Sequence, residues 1–291
     1  MMRFWRGIKV LLLNVFFYSG LIFMTVVGIL VVSVPVFCWQ RYVRGRDAGK
    51  TTRYLIWLYG RAWARFLGFF VPLRLENCAQ KLPKPCIFVS NHQSFFDTYC
   101  FGFLPEPDVV FAVRAWPFKM PFYGPYMRLA EYLNTEEQRA GALLEQGRGL
   151  LDKGTCIAIF PEGTRSVDGE LQRFHAGAFR LSLATGVPIV PLCFEGTGVF
   201  LRKGTYLLQP ASIAVKVLEP VWPEDFAVFG DEAPLALRRT VKERLQQTLN
   251  EFRRDTRFSP HLITNRSMYE AQCSHSVDAG CCSVPDKHRL P

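Results

Sequence analysis

The chain has 291 residues, 49% of them apolar, and carries 35 Lys and Arg against 25 Asp and Glu, a formal net charge of +10. With the ends set aside, about 200 residues remain for a single domain around one sizeable core. A basic balance often signals nucleic acid, but these charges follow hydrophobic segments and no nucleic-acid module accompanies them, so nucleic acid is excluded and an anionic phospholipid membrane becomes the expected partner.

From Val10 to Gln40 no residue is charged. Such a run exceeds the roughly 20 residues needed to cross a bilayer, and it is too long and too poor in small residues near a cleavage site for a typical signal peptide. Arg3, Arg6 and Lys9 precede it, and Arg41, Arg44, Arg46, Lys50 and Arg53 follow it. Basic residues on both flanks suit either a single span or a re-entrant hairpin bent at Gly20, Gly28 or Pro35, and either leaves the remainder on the cytoplasmic face. Residues 1–53 are therefore expected to be a membrane anchor with a basic linker. Tyr54 to Leu73 mixes Trp57, Tyr59, Trp63, Phe66, Phe69 and Phe70 with Arg61 and Arg65. That mixture suggests a helix at the headgroup boundary, the alternative being a core helix with two snorkelling arginines.

Strands are expected near Leu73 to Asn77, Cys86 to Ser90, Val109 to Val113, Cys156 to Phe160, Ile189 to Phe194 and Ile213 to Val217. Helical spacing occupies Glu136 to Lys153, His175 to Thr185 and Pro234 to Phe252. Strands alternating with helices predict an α/β fold, a mostly parallel central sheet flanked by helices, preceded by the membrane-anchoring helical segment. The domain is expected over residues 54–258, with a disordered tail over 259–291. Six cysteines are scattered mostly in apolar strands, and the tail's Cys273, His275, Cys281, Cys282 and His288 fit no common zinc spacing, so no metal is expected.

Two segments carry chemistry. Val89 to Asp97 reads Val-Ser-Asn-His-Gln-Ser-Phe-Phe-Asp directly after an apolar strand. An imidazole and a carboxylate five positions apart, at a strand end running into a helix turn, suit a general base, His92, with its orienting carboxylate, Asp97. Phe160 to Ser166 reads Phe-Pro-Glu-Gly-Thr-Arg-Ser at the end of another strand, where the Arg165 guanidinium beside a flexible turn could grip two oxygens of a phosphate.

Together these blocks resemble the 1-acylglycerol-3-phosphate acyltransferase family, whose first block is N-H-x-x-x-x-D and whose third is F-P-E-G-T-R-S. Gly169, Leu171, Phe174 and Gly177, then Val187 to Pro191, extend the resemblance to the fourth block, so that it spans roughly residues 70 to 225. The second block is weaker: Arg114 and Met120 to Gly124 match, but the arginine that often closes it is replaced near Asn134 or Thr135, and His175 stands where a basic residue is often found after the phenylalanine. The resemblance implies transfer of an acyl group from an acyl thioester, acyl-CoA or acyl carrier protein, to the sn-2 hydroxyl of a lysophosphatidate, with no metal or redox cofactor. His92 and Asp97 would be catalytic. Glu162, Gly163, Thr164, Arg165 and Arg114 would bind substrate, Gly163 and Thr164 lending N–H groups and Glu162 positioning Arg165 or the glycerol. Ser94 or a nearby backbone N–H is a candidate oxyanion donor. A related acceptor such as lyso-ornithine lipid is the alternative, a catalytically silent membrane scaffold is the reading from another class, and a hydrolase is disfavoured by the lack of a G-x-S-x-G elbow.

Overall fold

A strand buried on both faces is an unbroken apolar run, and such runs build the middle of this fold. The computed structural model describes residues 2–121, 123–136 and 141–255. In chain order the helices and strands are α1 (Met2–Val27), α2 (Val34–Cys38), α3 (Ala48–Leu67), β1 (Leu73–Glu76), β2 (Ile87–Ser90), α4 (Asp97–Cys100), β3 (Val109–Val113), α5 (Gly124–Leu129), β4 (Leu133–Asn134), α6 (Ala142–Asp152), β5 (Cys156–Ile159), α7 (Gly177–Thr185), β6 (Ile189–Glu195), α8 (Thr197–Phe200), β7 (Ile213–Val217) and α9 (Ala233–Arg254). The strands form one sheet in the order β1-β7-β6-β2-β5-β3-β4, parallel at every pair except β6 with β7. The expected mostly parallel α/β sheet is present. Every residue of β2 and β6 is buried.

Alternation along β2 sends Phe88 to one face, with Trp63 of α3 and Phe101, and Ile87 and Val89 to the other, with Phe179 of α7. Helix α9 covers the second face with Leu237, Val241, Leu245 and Leu249, a four-residue repeat that keeps one stripe inward.

The N-terminal run is one continuous helix, which departs from the expected hairpin and keeps the length expected of a single span. Gly7–Val43 is long and apolar enough to cross a membrane, and the backbone stays helical from Met2 to Val43, with π-helical turns at Gly28–Ser33 and Trp39–Val43 rather than a hairpin bend. Gly20 is a packing position instead: a Cβ there would lie 2.2 Å from the Phe66 ring. The chain turns back after Arg44, with Gly45 in the left-handed region at φ 64°, and α3 returns alongside α1, its Tyr59 hydroxyl 2.6 Å from Thr25 Oγ1. Phe17 of α1 is fully buried among Trp63, Phe66, Phe70, Phe96 and Phe200, at ring separations of 5.1 to 5.8 Å. Burial of such a side chain contributes about 1.5–3 kcal/mol. The opposite face of the run, with Leu11, Phe16, Ile22, Phe23 and Leu30, is 60–71% exposed.

Helix α3 is the core alternative rather than the interfacial helix, and it begins six residues before the expected Tyr54. Asp47 caps it by accepting from Lys50 N at 2.7 Å. Arg53, placed by charge in the linker, is buried and bonds Asp108 at 2.6 Å and Glu131 at 2.9 Å. Trp63 is 1% exposed, and Trp57 Nε1 donates to Leu104 O at 2.9 Å. Trp57 Nε1 and the Tyr59 hydroxyl find partners there, as the polar tips of buried aromatics usually do, whereas Trp63 is held by ring packing alone, its Nε1 buried without a partner among the described residues. The expected helix from Glu136 starts only at Ala142, since Glu136 folds back onto Arg114 and Ala115 N. Residues 137–140, Phe122 of the second block and the expected tail 259–291 lie outside the described residues.

Candidate active site

Because β6, β2 and β5 are parallel neighbours, their carboxyl ends open on the same edge, where ligands of open α/β sheets bind. Ser90 ends β2, and Asn91 fixes the exit: its side-chain amide donates to Phe194 O at 2.7 Å and its carbonyl accepts from Phe194 N at 2.8 Å, continuing the β2–β6 pairing through a side chain. His92 follows. Its ring stacks on Phe160 at 4.1 Å, and Nδ1 lies 2.8 Å from Asp97 Oδ2.

Asp97 is completely buried, and a buried carboxylate needs donors. It has four: His92 Nδ1, the backbone N–H groups of Gln93 at 2.7 Å and Ser94 at 2.9 Å, and Thr197 Oγ1, which donates to Oδ1 at 2.5 Å. The other three partners all donate to Asp97 and leave it the acceptor, so Nδ1 carries the imidazole proton and Nε2 presents its lone pair. Among the described residues Nε2 has no hydrogen-bond partner, and the His92 side chain is 18% exposed. This arrangement can draw a proton from an alcohol.

Thr197, fully buried at the start of α8, escaped sequence reasoning. It follows β6 after the single residue Gly196, which takes φ 85° where a Cβ would sit 1.9 Å from Ser212 O. The signal available was a Glu-Gly-Thr step at a strand end, which names no chemistry by itself.

The Phe160 to Ser166 turn is fastened to the base by Ser166 N donating to His92 O at 2.7 Å. Glu162 sits differently from its expected role. It faces inward rather than toward Arg165, accepting His92 N at 3.0 Å on Oε1 and Gln172 N at 3.2 Å on Oε2. Burial pushes its carboxyl up to about 7, against the opposing pull of those two N–H groups. Gly163, at φ 67°, spends its N–H on Phe160 O at 3.1 Å, which leaves Thr164 N–H as the donor without a partner among the described residues. Ser94 is not placed as an oxyanion donor either: its hydroxyl donates to Leu201 O at 3.0 Å and its N–H serves Asp97. Arg165 is half-exposed with no ion pair among the described residues, whereas Arg114, after β3, is bonded to Glu136 at 2.6 Å.

A second cluster braces the far side. Arg253 of α9 reaches Gly169 O at 2.8 Å and Glu170 at 2.6 Å, and Gln93 donates to Glu195 at 3.2 Å.

Residues 74–195 match the family model described as Acyltransferase. This stretch is similar to an acyltransferase domain. The matched stretch runs from β1 to the end of β6 and so contains His92, Asp97 and the Glu162–Arg165 turn. A 1-acyl-sn-glycerol-3-phosphate acyltransferase from Limnanthes alba is 31% identical over 178 residues, 60% of this chain and 59% of that one. The human 1-acyl-sn-glycerol-3-phosphate acyltransferase beta is 30% identical over 183 residues, 60% and 65% respectively. The chain thus spans about three fifths of the length of these curated relatives. The crystal structure of the 1-acyl-sn-glycerophosphate (LPA) acyltransferase PlsC from Thermotoga maritima resembles it with a TM-score of 0.68 and 27% identity, over 86% of this chain and 98% of that one.

Proposed function

We propose that this chain is a 1-acylglycerol-3-phosphate acyltransferase, moving an acyl group from an acyl thioester to the sn-2 hydroxyl of lysophosphatidate to give phosphatidate. The observation that carries the reading is the 2.8 Å contact of His92 Nδ1 with a fully buried Asp97 at the sheet's carboxyl edge. His92 Nε2 takes the acceptor's hydroxyl proton as its oxygen attacks the thioester carbonyl. The imidazolium, stabilised by Asp97, then returns that proton to the departing thiolate as the C–S bond breaks. A thioester is already activated, so no acyl-enzyme is required and no metal or redox cofactor enters. Thr164 and Arg165 are assigned to the acceptor phosphate, and the names of the relatives support that acceptor. Acyl-CoA and acyl carrier protein both satisfy the chemistry as donor.

The enzyme would work on a phospholipid membrane, attached through the exposed apolar face of α1, with its domain on the cytoplasmic side indicated by the basic residues after Gln40. The test is phosphatidate formation by purified protein in nanodiscs, with lysophosphatidate and lyso-ornithine lipid as alternative acceptors and both thioesters as donors. Acylation of lyso-ornithine lipid alone would replace the acceptor. Activity with neither would remove the reading.

A further inference from the structure

Around the Thr164 turn two cations meet no counter-charge among the described residues, and one of them is far away in sequence. Lys203, in the loop between α8 and β7, donates from Nζ to Thr164 Oγ1 at 3.0 Å and to Arg165 O at 2.8 Å. Both acceptors are neutral. An ammonium has three N–H donors, so a third remains, and its charge has no carboxylate partner among the described residues. Arg114, by contrast, is neutralised by Glu136, whose carboxyl is held below its usual range by Ala115 N–H and by Arg114 itself.

The loop that carries Lys203 is pinned at both ends. Ser94 Oγ, two residues beyond the base, donates to Leu201 O at 3.0 Å, and the Asn14 side chain of α1 both donates to and accepts from the Leu208 backbone at 2.9 Å. Between these ties Arg202 to Thr205 closes a turn, with Thr205 N on Arg202 O at 3.2 Å and Gly204 at φ 81°. Lys203 is thereby held against the Arg165 turn with no acidic partner among the described residues.

We propose that Lys203 binds the phosphate of the acceptor, forming with Arg165 a two-cation clamp about Thr164. This rests on the lysophosphatidate reading above and deepens it. A phosphomonoester carries nearly two negative charges at neutral pH. Arg165 would offer a flat, two-point grip and Lys203 a point charge, with the Thr164 hydroxyl bonded to Lys203 and the Thr164 N–H next to Arg165 in the chain. The clamp also supplies the cation that the weak second block lacks. Because the 201–208 loop is tied to α1, the acceptor's headgroup would be held beside the helix whose outer face is apolar.

The experiment uses the full chain in nanodiscs, with lysophosphatidate and acyl-CoA varied in turn for wild type, Lys203→Gln and Lys203→Arg. Losing a charged hydrogen bond is worth about tenfold or more in affinity. Lys203→Gln should therefore raise KM for lysophosphatidate by about tenfold, leave KM for acyl-CoA unchanged, and be partly rescued by Lys203→Arg with no change in melting temperature. A rise in the acyl-CoA KM alone would give the cation to the phosphates of the donor and overturn the proposal. Equal rises in both KM values with earlier melting would reduce Lys203 to a brace, and no change in any constant would equally remove it. Calorimetric binding of glycerol 3-phosphate needs no turnover. If wild type makes no phosphatidate but Lys203→Gln still weakens that binding, the lysophosphatidate reading falls and the clamp stands, whereas undiminished binding overturns the clamp.

Discussion

The two halves of the site are built on opposite plans. On the base side, Asp97 is completely buried and saturated by four donors, and His92 is stacked on Phe160. On the anion side, Arg165 and Lys203 are half-exposed, sit on turns, and meet no carboxylate among the described residues. A charge needed throughout the reaction is solvated by the protein itself. In the proposed function, the charges assigned to the acceptor phosphate are left for it to neutralise. The first should respond to substitution mainly in kcat, the second mainly in one KM.

Asp97→Asn attacks the base side at its centre. The amide offers Nδ1 a different partner and stabilises the wrong tautomer, so kcat should fall roughly 10²–10⁴-fold with both KM values unmoved. Steady-state kinetics alongside circular dichroism would check it, and a loss confined to KM would erase the contrast between the two halves.

Thr197→Val removes a single donor from the same carboxylate at nearly constant volume. A buried acceptor left short of one hydrogen bond costs about 1–3 kcal/mol, so kcat should drop about tenfold, with Thr197→Ser restoring it. A structural role alone would lower the melting temperature without separating kcat from KM.

Arg165→Lys probes the anion side. The charge stays and the two-point geometry goes, which should raise KM for lysophosphatidate about fivefold and spare the acyl thioester. Parallel changes in both would tie Arg165 to the fold of the turn.

At Glu162, which links the halves, the effect is expected in stability rather than in rate. Its carboxyl is raised to about 7 in the folded chain. The folded state therefore holds a proton that the unfolded state releases, and this contribution to stability, full below the unfolded value, is lost as pH rises toward 7. The loss is on the order of 3 kcal/mol at most. Glu162→Gln cannot titrate, so its melting temperature should fall less than that of wild type between pH 5 and 7.5. Matching pH slopes for the two proteins would remove the raised carboxyl.

Local features of the fold were legible where one residue type decides the backbone. Val109–Val113 and Ile213–Val217 match their expected bounds because both are short apolar runs closed by turns. His175 was taken for the start of a helix, but its N–H is committed to Pro161 O at 2.8 Å, and α7 begins at Gly177. Arg53 and the α3 aromatics misled for one reason: composition cannot distinguish an arginine facing lipid headgroups from one buried against Asp108. The His92–Asp97 contact was legible because its two partners stand five positions apart in the chain. Thr197 and Lys203 were not, because the order of β6 beside β2 brings them to residues 100 and 39 positions away, a juxtaposition that no local pattern encodes.

The central claim is that His92 is the base of an acyl transfer to lysophosphatidate. Phosphatidate formation by wild type and His92→Ala, compared in the same nanodiscs with equal protein loading and matched melting curves, tests it most directly. The account predicts product from wild type and a loss of roughly 10²–10⁴-fold in kcat for the variant, with lysophosphatidate binding retained. Turnover by His92→Ala within a few-fold of wild type would contradict it.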